Sequence, residues 1–65
     1  MNLIKLTPDN VHKYIGYDIL FKTRGIKIIK KIIGVSNSGK SINIEHSDLN
    51  NNLEIVSRLI YVILE

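Results

Sequence analysis

The sequence holds no cysteine, tryptophan, alanine or glutamine, one proline, and four aromatic residues among 65. Without cysteine no disulfide staples the chain, no thiol serves as a nucleophile, and cysteine-based zinc sites are excluded. No apolar run reaches the roughly 18 residues of a spanning helix, and residues 1–15 lack the charged start and long apolar stretch of a signal peptide. The expected address is therefore intracellular, in cytoplasm or nucleus, with no membrane partner. A chain of this length makes one domain, residues 1–65. Such a domain buries only about 60% of the surface it exposes when unfolded. Ordering it costs roughly 1.5 kcal/mol per residue. Its core must then be densely apolar or shared with a partner.

The residues present are biased: 13 Ile, 7 Asn and 7 Lys, a composition typical of AT-rich genomes. Net charge is +3, unevenly spread. Residues 1–33 carry seven cations and two anions, residues 34–65 two cations and four anions. The two halves are electrically complementary, so the asymmetry either cancels on folding or leaves a basic face for a polyanion.

Helix signals gather near the start. Thr7 suits an N-cap, Pro8 the first helical position and Asp9 the positive end of the dipole, while Val11, Tyr14 and Ile15 fall on one face. Leu6 and Val11 are spaced for a hydrophobic staple, and Gly16 for a left-handed stop. A two-turn helix over Pro8–Ile15 is predicted, preceded by a strand over Leu3–Leu6. Beyond Gly16, β-branched and aromatic residues arrive in short segments bounded by Gly, Asn and Ser, the pattern of consecutive strands. The strands predicted are Tyr17–Thr23, Ile26–Val35, Ser41–His46, Leu53–Val56 and Leu59–Leu64. In Ile26–Val35 the residues Ile29, Ile32 and Ile33 also satisfy helical spacing, while the Ile content and the bracketing Gly25 and Gly34 favour a strand; the doublets Ile28-Ile29, Lys30-Lys31 and Ile32-Ile33 break strict alternation and predict a bulge or bend in it. Asn37-Ser38-Gly39 reads as a hairpin loop with glycine in the left-handed position.

Gly34-Val35-Ser36-Asn37-Ser38-Gly39-Lys40-Ser41 satisfies the P-loop pattern to the letter. A P-loop, however, must open a helix whose dipole faces the phosphate, whereas Ile42-Asn43-Ile44-Glu45 alternates as a strand, and 24 residues after Ser41 are too few for the remaining parallel sheet. His46-Ser47-Asp48 has the residue types of a catalytic triad, but sequence neighbours point apart and form no relay. His12, His46 and Asp48 lack metal-ligand spacing, and the six carboxylates are dispersed. The expectation is a protein that is not an enzyme, with no catalytic residues, cofactor, metal or small-molecule substrate.

The order helical turn, Ile15-Gly16, strand, long bent strand, glycine hairpin, strand ending Ile44-Glu45, strand Leu53-Glu54-Ile55-Val56 and short terminal strand resembles SH3-like barrels, especially Tudor and chromo-barrel domains, over residues 14–64. The resemblance implies a mainly β fold: a small five- to six-stranded antiparallel barrel with one short N-terminal helix. Those families read methylated lysine or arginine in peptides and chromatin through an aromatic cage; Tyr14, Tyr17 and Tyr61 are the residues available for such a groove, and the inter-strand loops, where a cage sits, hold no aromatic. Composition and the stretch Ser47–Tyr61 are also similar to small proteins of large DNA viruses of amoebae, which adds a structural virion protein to the alternatives.

Lys22, Arg24, Lys27, Lys30 and Lys31 fall within one expected hairpin, with Lys40 at the far end of its long strand. Phosphate-backbone affinity needs only such a cluster. Aromatic residues for stacking single-stranded bases are nearly absent from this cluster, Phe21 being the sole neighbour, so the leading expectation is a module binding nucleic acid, as duplex or RNA, or nucleoprotein without sequence specificity. A core of this size encloses roughly 15 large apolar side chains, yet 29 are present. The surplus predicts a homodimer through the last strand, with Leu59, Tyr61 and Ile63 at the interface.

Overall fold

The computed structural model describes residues 2–45 and 52–64. The chain is mainly β. Its strands are β1 (Asn2–Lys5), β2 (Asp18–Thr23), β3 (Ile26–Val35), β4 (Ser41–Ile44), β5 (Asn52–Glu54) and β6 (Ile60–Leu64). They form one antiparallel sheet in the order β1-β6-β2-β3-β4-β5. Strands β2 to β5 follow one another as a meander, and β6 returns to lie between β1 and β2. The sheet is unclosed, with β1 and β5 as its edges.

Period-2 alternation decides the faces. Ile19 and Phe21 of β2, Ile32 of β3, Ile42 and Ile44 of β4, Leu53 of β5, and Ile60 and Val62 of β6 are buried in one cluster, joined by Leu6, Val11 and Ile55. Strands from nearly the whole width of the sheet share this core, so the inner face curls around it. At about 25 cal/mol per Å² of apolar area, each fully buried Ile or Leu contributes roughly 1.5–3 kcal/mol. No polar or charged residue is buried among the described residues.

The doublets in β3 resolve as a bulge. Ile32 pairs with Ile44 and Gly34 with Asn43, leaving Ile33 as the extra residue. Before the bulge Ile28, Lys30 and Ile32 share the inner face; after it Val35, opposite buried Ile42, faces inward again. Ile33 is left 56% exposed.

The helix predicted over Pro8–Ile15 does not form as an α-helix. Residues 8–10 are a turn and Val11–Tyr14 a single 3-10 turn. Thr7 braces the turn in place of capping a helix: the Thr7 amide donates to Asn10 Oδ1 (2.9 Å) and the Asn10 amide to Thr7 Oγ1 (3.3 Å), while the N-cap of the 3-10 turn is Asn10, without a side-chain cap bond. Eight residues are too few to sustain an α-helix by local bonds alone. The segment is instead tied to the sheet. Asn10 Nδ2 donates to the Lys5 carbonyl (3.0 Å), and the Gly16 amide, at φ +92°, to the Ile32 carbonyl (2.8 Å). Leu6 and Val11 are both buried as a staple would have them, while Ile15 is exposed.

Several predicted strand ends move by one or two residues. The Tyr17 and Leu59 ends are trimmed, the first strand starts at Asn2 and stops at Lys5, and β5 ends at Glu54. Past Glu54 the chain bends, and the Ile55 amide donates to the Lys40 carbonyl (2.9 Å). The predicted strand Ser41–His46 begins at Ser41 as expected but ends at Ile44, Glu45 being a turn; His46, Ser47 and Asp48 fall outside the described residues. No helix among the described residues is long and apolar enough to cross a membrane.

Candidate nucleic-acid interface

The cross-strand registers place the cations. Directly opposed residues in antiparallel strands share a face. On the outer face of β1, β6, β2 and β3, Lys5 stands opposite Tyr61, Tyr61 opposite Leu20, and Leu20 opposite Ile29. On one side of this row Lys22 faces Lys27; on the other Asp18 faces Lys31, and Leu3 faces Ile63. Lys5, Lys22, Lys27 and Lys31 are all exposed. Along β3 the outer face reads Lys27, Ile29, Lys31, Ile33, a cation alternating with an apolar residue.

Five of the six expected binding residues belong to this hairpin, but they do not share one side. Lys30 lies across from buried Ile19, on the inner face, and is half-buried. Arg24 sits at the hairpin tip, where Arg24 (φ +52°) and Gly25 (φ +77°) form the two-residue loop. Positive φ at both positions is the hairpin turn that suits right-handed strand twist and favours Asn-Gly. A left-handed arginine costs about 1–2 kcal/mol, and here it places an exposed cation in the turn next to the Lys22–Lys27 pair. Lys40 is at the opposite end of the sheet, beside Ser41, Asn52, Glu54 and Val56.

Between the cations runs a groove of about 460 Å³, floored by Leu3, Leu20, Leu59 and Tyr61 and rimmed by Lys22, Lys27 and Arg58. A second depression, of about 350 Å³, is lined by Gly16, Tyr17, Asp18 and Ile63. The residues expected at a dimer seam, Leu59, Tyr61 and Ile63, thus line the same face as the lysines. The three tyrosines expected in a peptide groove are split. Tyr14 and Tyr17 meet edge to face, centroids 5.3 Å apart at 82°, whereas Tyr61 lies in the larger groove.

No family model, curated protein or solved structure matches the chain. The surface must be read from its own chemistry.

The P-loop match is a hairpin between β3 and β4. The Ser36 and Ser41 backbones pair, the Gly39 amide donates to the Ser36 carbonyl (3.0 Å), the Lys40 amide to Ser38 Oγ (3.3 Å) and the Ser41 amide to Ser36 Oγ (3.2 Å). These amides are those a phosphate cradle would need. They are spent inside the loop, and a strand follows in place of a helix.

Sequence reasoning missed Lys5, Arg58, Leu3 and Leu20. A strand over Leu3–Leu6 puts Leu3 and Lys5 on one face, but the arrival of Lys5 beside Tyr61 depends on the pairing of β1 with β6, a contact across nearly the whole chain. Arg58 is positioned by the bend before β6; Ser57-Arg58 reads as a turn in the sequence, but nothing local places its guanidinium beside Tyr61 and Leu59.

Proposed function

We propose that the protein is a non-enzymatic module of the SH3-like barrel class that binds nucleic acid, or nucleoprotein through its nucleic acid, without sequence specificity. The strand order β6-β2-β3-β4-β5 and the bulge that bends β3 support the barrel reading. The observation that carries the binding reading is the outer face itself. Lys5, Lys22, Lys27 and Lys31, with Arg24 and Arg58 at its margin, surround Tyr61, and Asp18 is the only acid among the described residues of that face.

Lys22 and Lys27 are directly opposed like charges, an arrangement that costs a few tenths of a kcal/mol or more in the free protein. An anion between them offsets that cost. Affinity then comes from released counterions. A twofold self-contact through Leu59, Tyr61 and Ile63 would bring two such lysine pairs together. Homodimerisation through this face therefore competes with nucleic acid.

A chromatin-reader or peptide-adaptor role has the Tyr14–Tyr17 corner in its favour; the third wall is absent there, since Tyr61 belongs to the other depression. The test of the main reading is a salt titration of fluorescence anisotropy with a labelled duplex. If about four cations neutralise phosphates, log K falls against log salt with a slope of about −3 to −4. Binding insensitive to salt, or no binding at low salt, would overturn it.

A further inference from the structure

We infer, resting on the reading that the outer face binds nucleic acid, that its ligand is a single strand whose unpaired bases enter the two depressions, one against Tyr61 and one against Tyr17. The larger groove has an apolar floor of Leu3, Leu20, Leu59 and Tyr61 and a rim of Lys22, Lys27 and Arg58. A ligand that fills it must offer an apolar face and adjacent negative charge in a repeating pattern, as the Lys27-Ile29-Lys31-Ile33 alternation also requires. Base and phosphate repeat in that way along a single strand, and aromatic side chains give a sequence-tolerant platform for stacking. A duplex keeps its base faces stacked inside and would leave the groove empty.

Asp18 separates the remaining alternatives. It lines the second depression with Tyr17 and Ile63. A carboxylate there repels a phosphate and repels an acidic peptide, but it accepts a hydrogen bond from a base amino group. Tyr61 in one depression and Ile63 in the other are two residues apart on β6, about 6.7 Å along the strand. That is about twice the 3.4 Å spacing of bases along one strand of a duplex. Bases lodged in both depressions are therefore unstacked from each other, which an unpaired strand allows at no cost in base pairing, whereas a duplex must break pairs or stacks to do the same.

The experiment compares four ligands on the full chain at low salt: a short labelled strand of mixed sequence, the duplex of the same length, an abasic strand with the same phosphates, and an alternating Glu-Leu peptide as competitor. The strand should bind roughly tenfold tighter than the duplex, and the abasic strand should lose that advantage. Tyr61→Leu should weaken strand binding roughly tenfold with the salt slope unchanged, and Tyr17→Leu should weaken it too; circular dichroism confirms that both variants fold. The comparison of strand with abasic strand needs no variant at all. Equal, salt-sensitive affinity for strand, abasic strand and duplex would overturn this inference and leave the phosphate-binding reading standing. Displacement of the strand by the Glu-Leu peptide at matched concentration would overturn it in favour of a peptide site. Absence of salt-sensitive binding to every nucleic acid would remove both readings.

Discussion

Replacing Gly39 with alanine separates two costs that are usually confounded at a turn glycine. Gly39 has φ +75° and is buried, and a Cβ built on it would lie 2.8 Å from the Pro8 carbonyl oxygen and 3.4 Å from His12 Cε1. The left-handed conformation costs an L-residue about 1–2 kcal/mol. The backbone contact cannot be relieved by a side-chain rotation, so the N-terminal turn must shift, and overpacking of that kind costs about 1–3 kcal/mol. Gly39→Ala should therefore destabilise by about 2–5 kcal/mol. A domain of this length has roughly 3–10 kcal/mol in total. Gly25 supplies the control. It has nearly the same φ, +77°, and nothing within 4 Å of its Cβ position, so Gly25→Ala should lose only the strain. Reduced entropy of the unfolded chain enters both variants alike. Urea melts followed by circular dichroism give both values from the midpoint shift, provided the slopes agree. Equal losses at Gly25 and Gly39 would refute the packing of the β3–β4 hairpin against the Pro8–His12 turn.

Arg24→Asn should stabilise the β2–β3 hairpin by about 1 kcal/mol, since asparagine tolerates the left-handed position, while weakening nucleic-acid binding through the lost charge; opposite signs in a melt and a binding titration check it. Ile32→Asp should leave the chain unfolded at room temperature, because the residue is 0% exposed and an unpaired carboxylate has no partner there; a two-dimensional NMR spectrum collapsed to random-coil dispersion is the expected readout. Lys40→Ala should leave both stability and nucleic-acid affinity within measurement error, and magnesium-dependent ATP binding lost in that variant would contradict the hairpin reading of the glycine motif. Excess single-stranded oligonucleotide should dissociate any dimer seen by light scattering, because both contacts use the face around Tyr61.

Strand content was legible because the residues between Gly16 and Leu64 carry β-branched runs punctuated by glycine and asparagine, and the bulge showed in the doublets around Ile32. The hairpin at Gly39 was legible from turn chemistry. The fate of Pro8–Ile15 was not, since the cap chemistry of Thr7 serves a turn as well as a helix and says nothing about whether tertiary bonds from Lys5 and Ile32 will hold the segment to a single 3-10 turn. The candidate site was half visible. A cluster of cations between Lys22 and Lys31 could be read off the chain, but the side each one takes depends on register: Lys31 and Lys30 are neighbours in sequence and stand on opposite faces. Tyr61 joins the basic face only because β6 inserts between β1 and β2, a long-range pairing that local pattern does not encode.

The most direct test of the outer face as a nucleic-acid interface is the change in salt slope when Lys22 and Lys27 are both replaced by glutamine, measured beside Lys40→Gln at the other end of the sheet. Removing two phosphate contacts should flatten the log K against log salt slope by about 1.4 to 1.8, with a small gain in stability as the like-charge pair disappears. Lys40→Gln should leave the slope where it was. An unchanged slope in the double variant, or equal flattening by Lys40→Gln, would contradict the account.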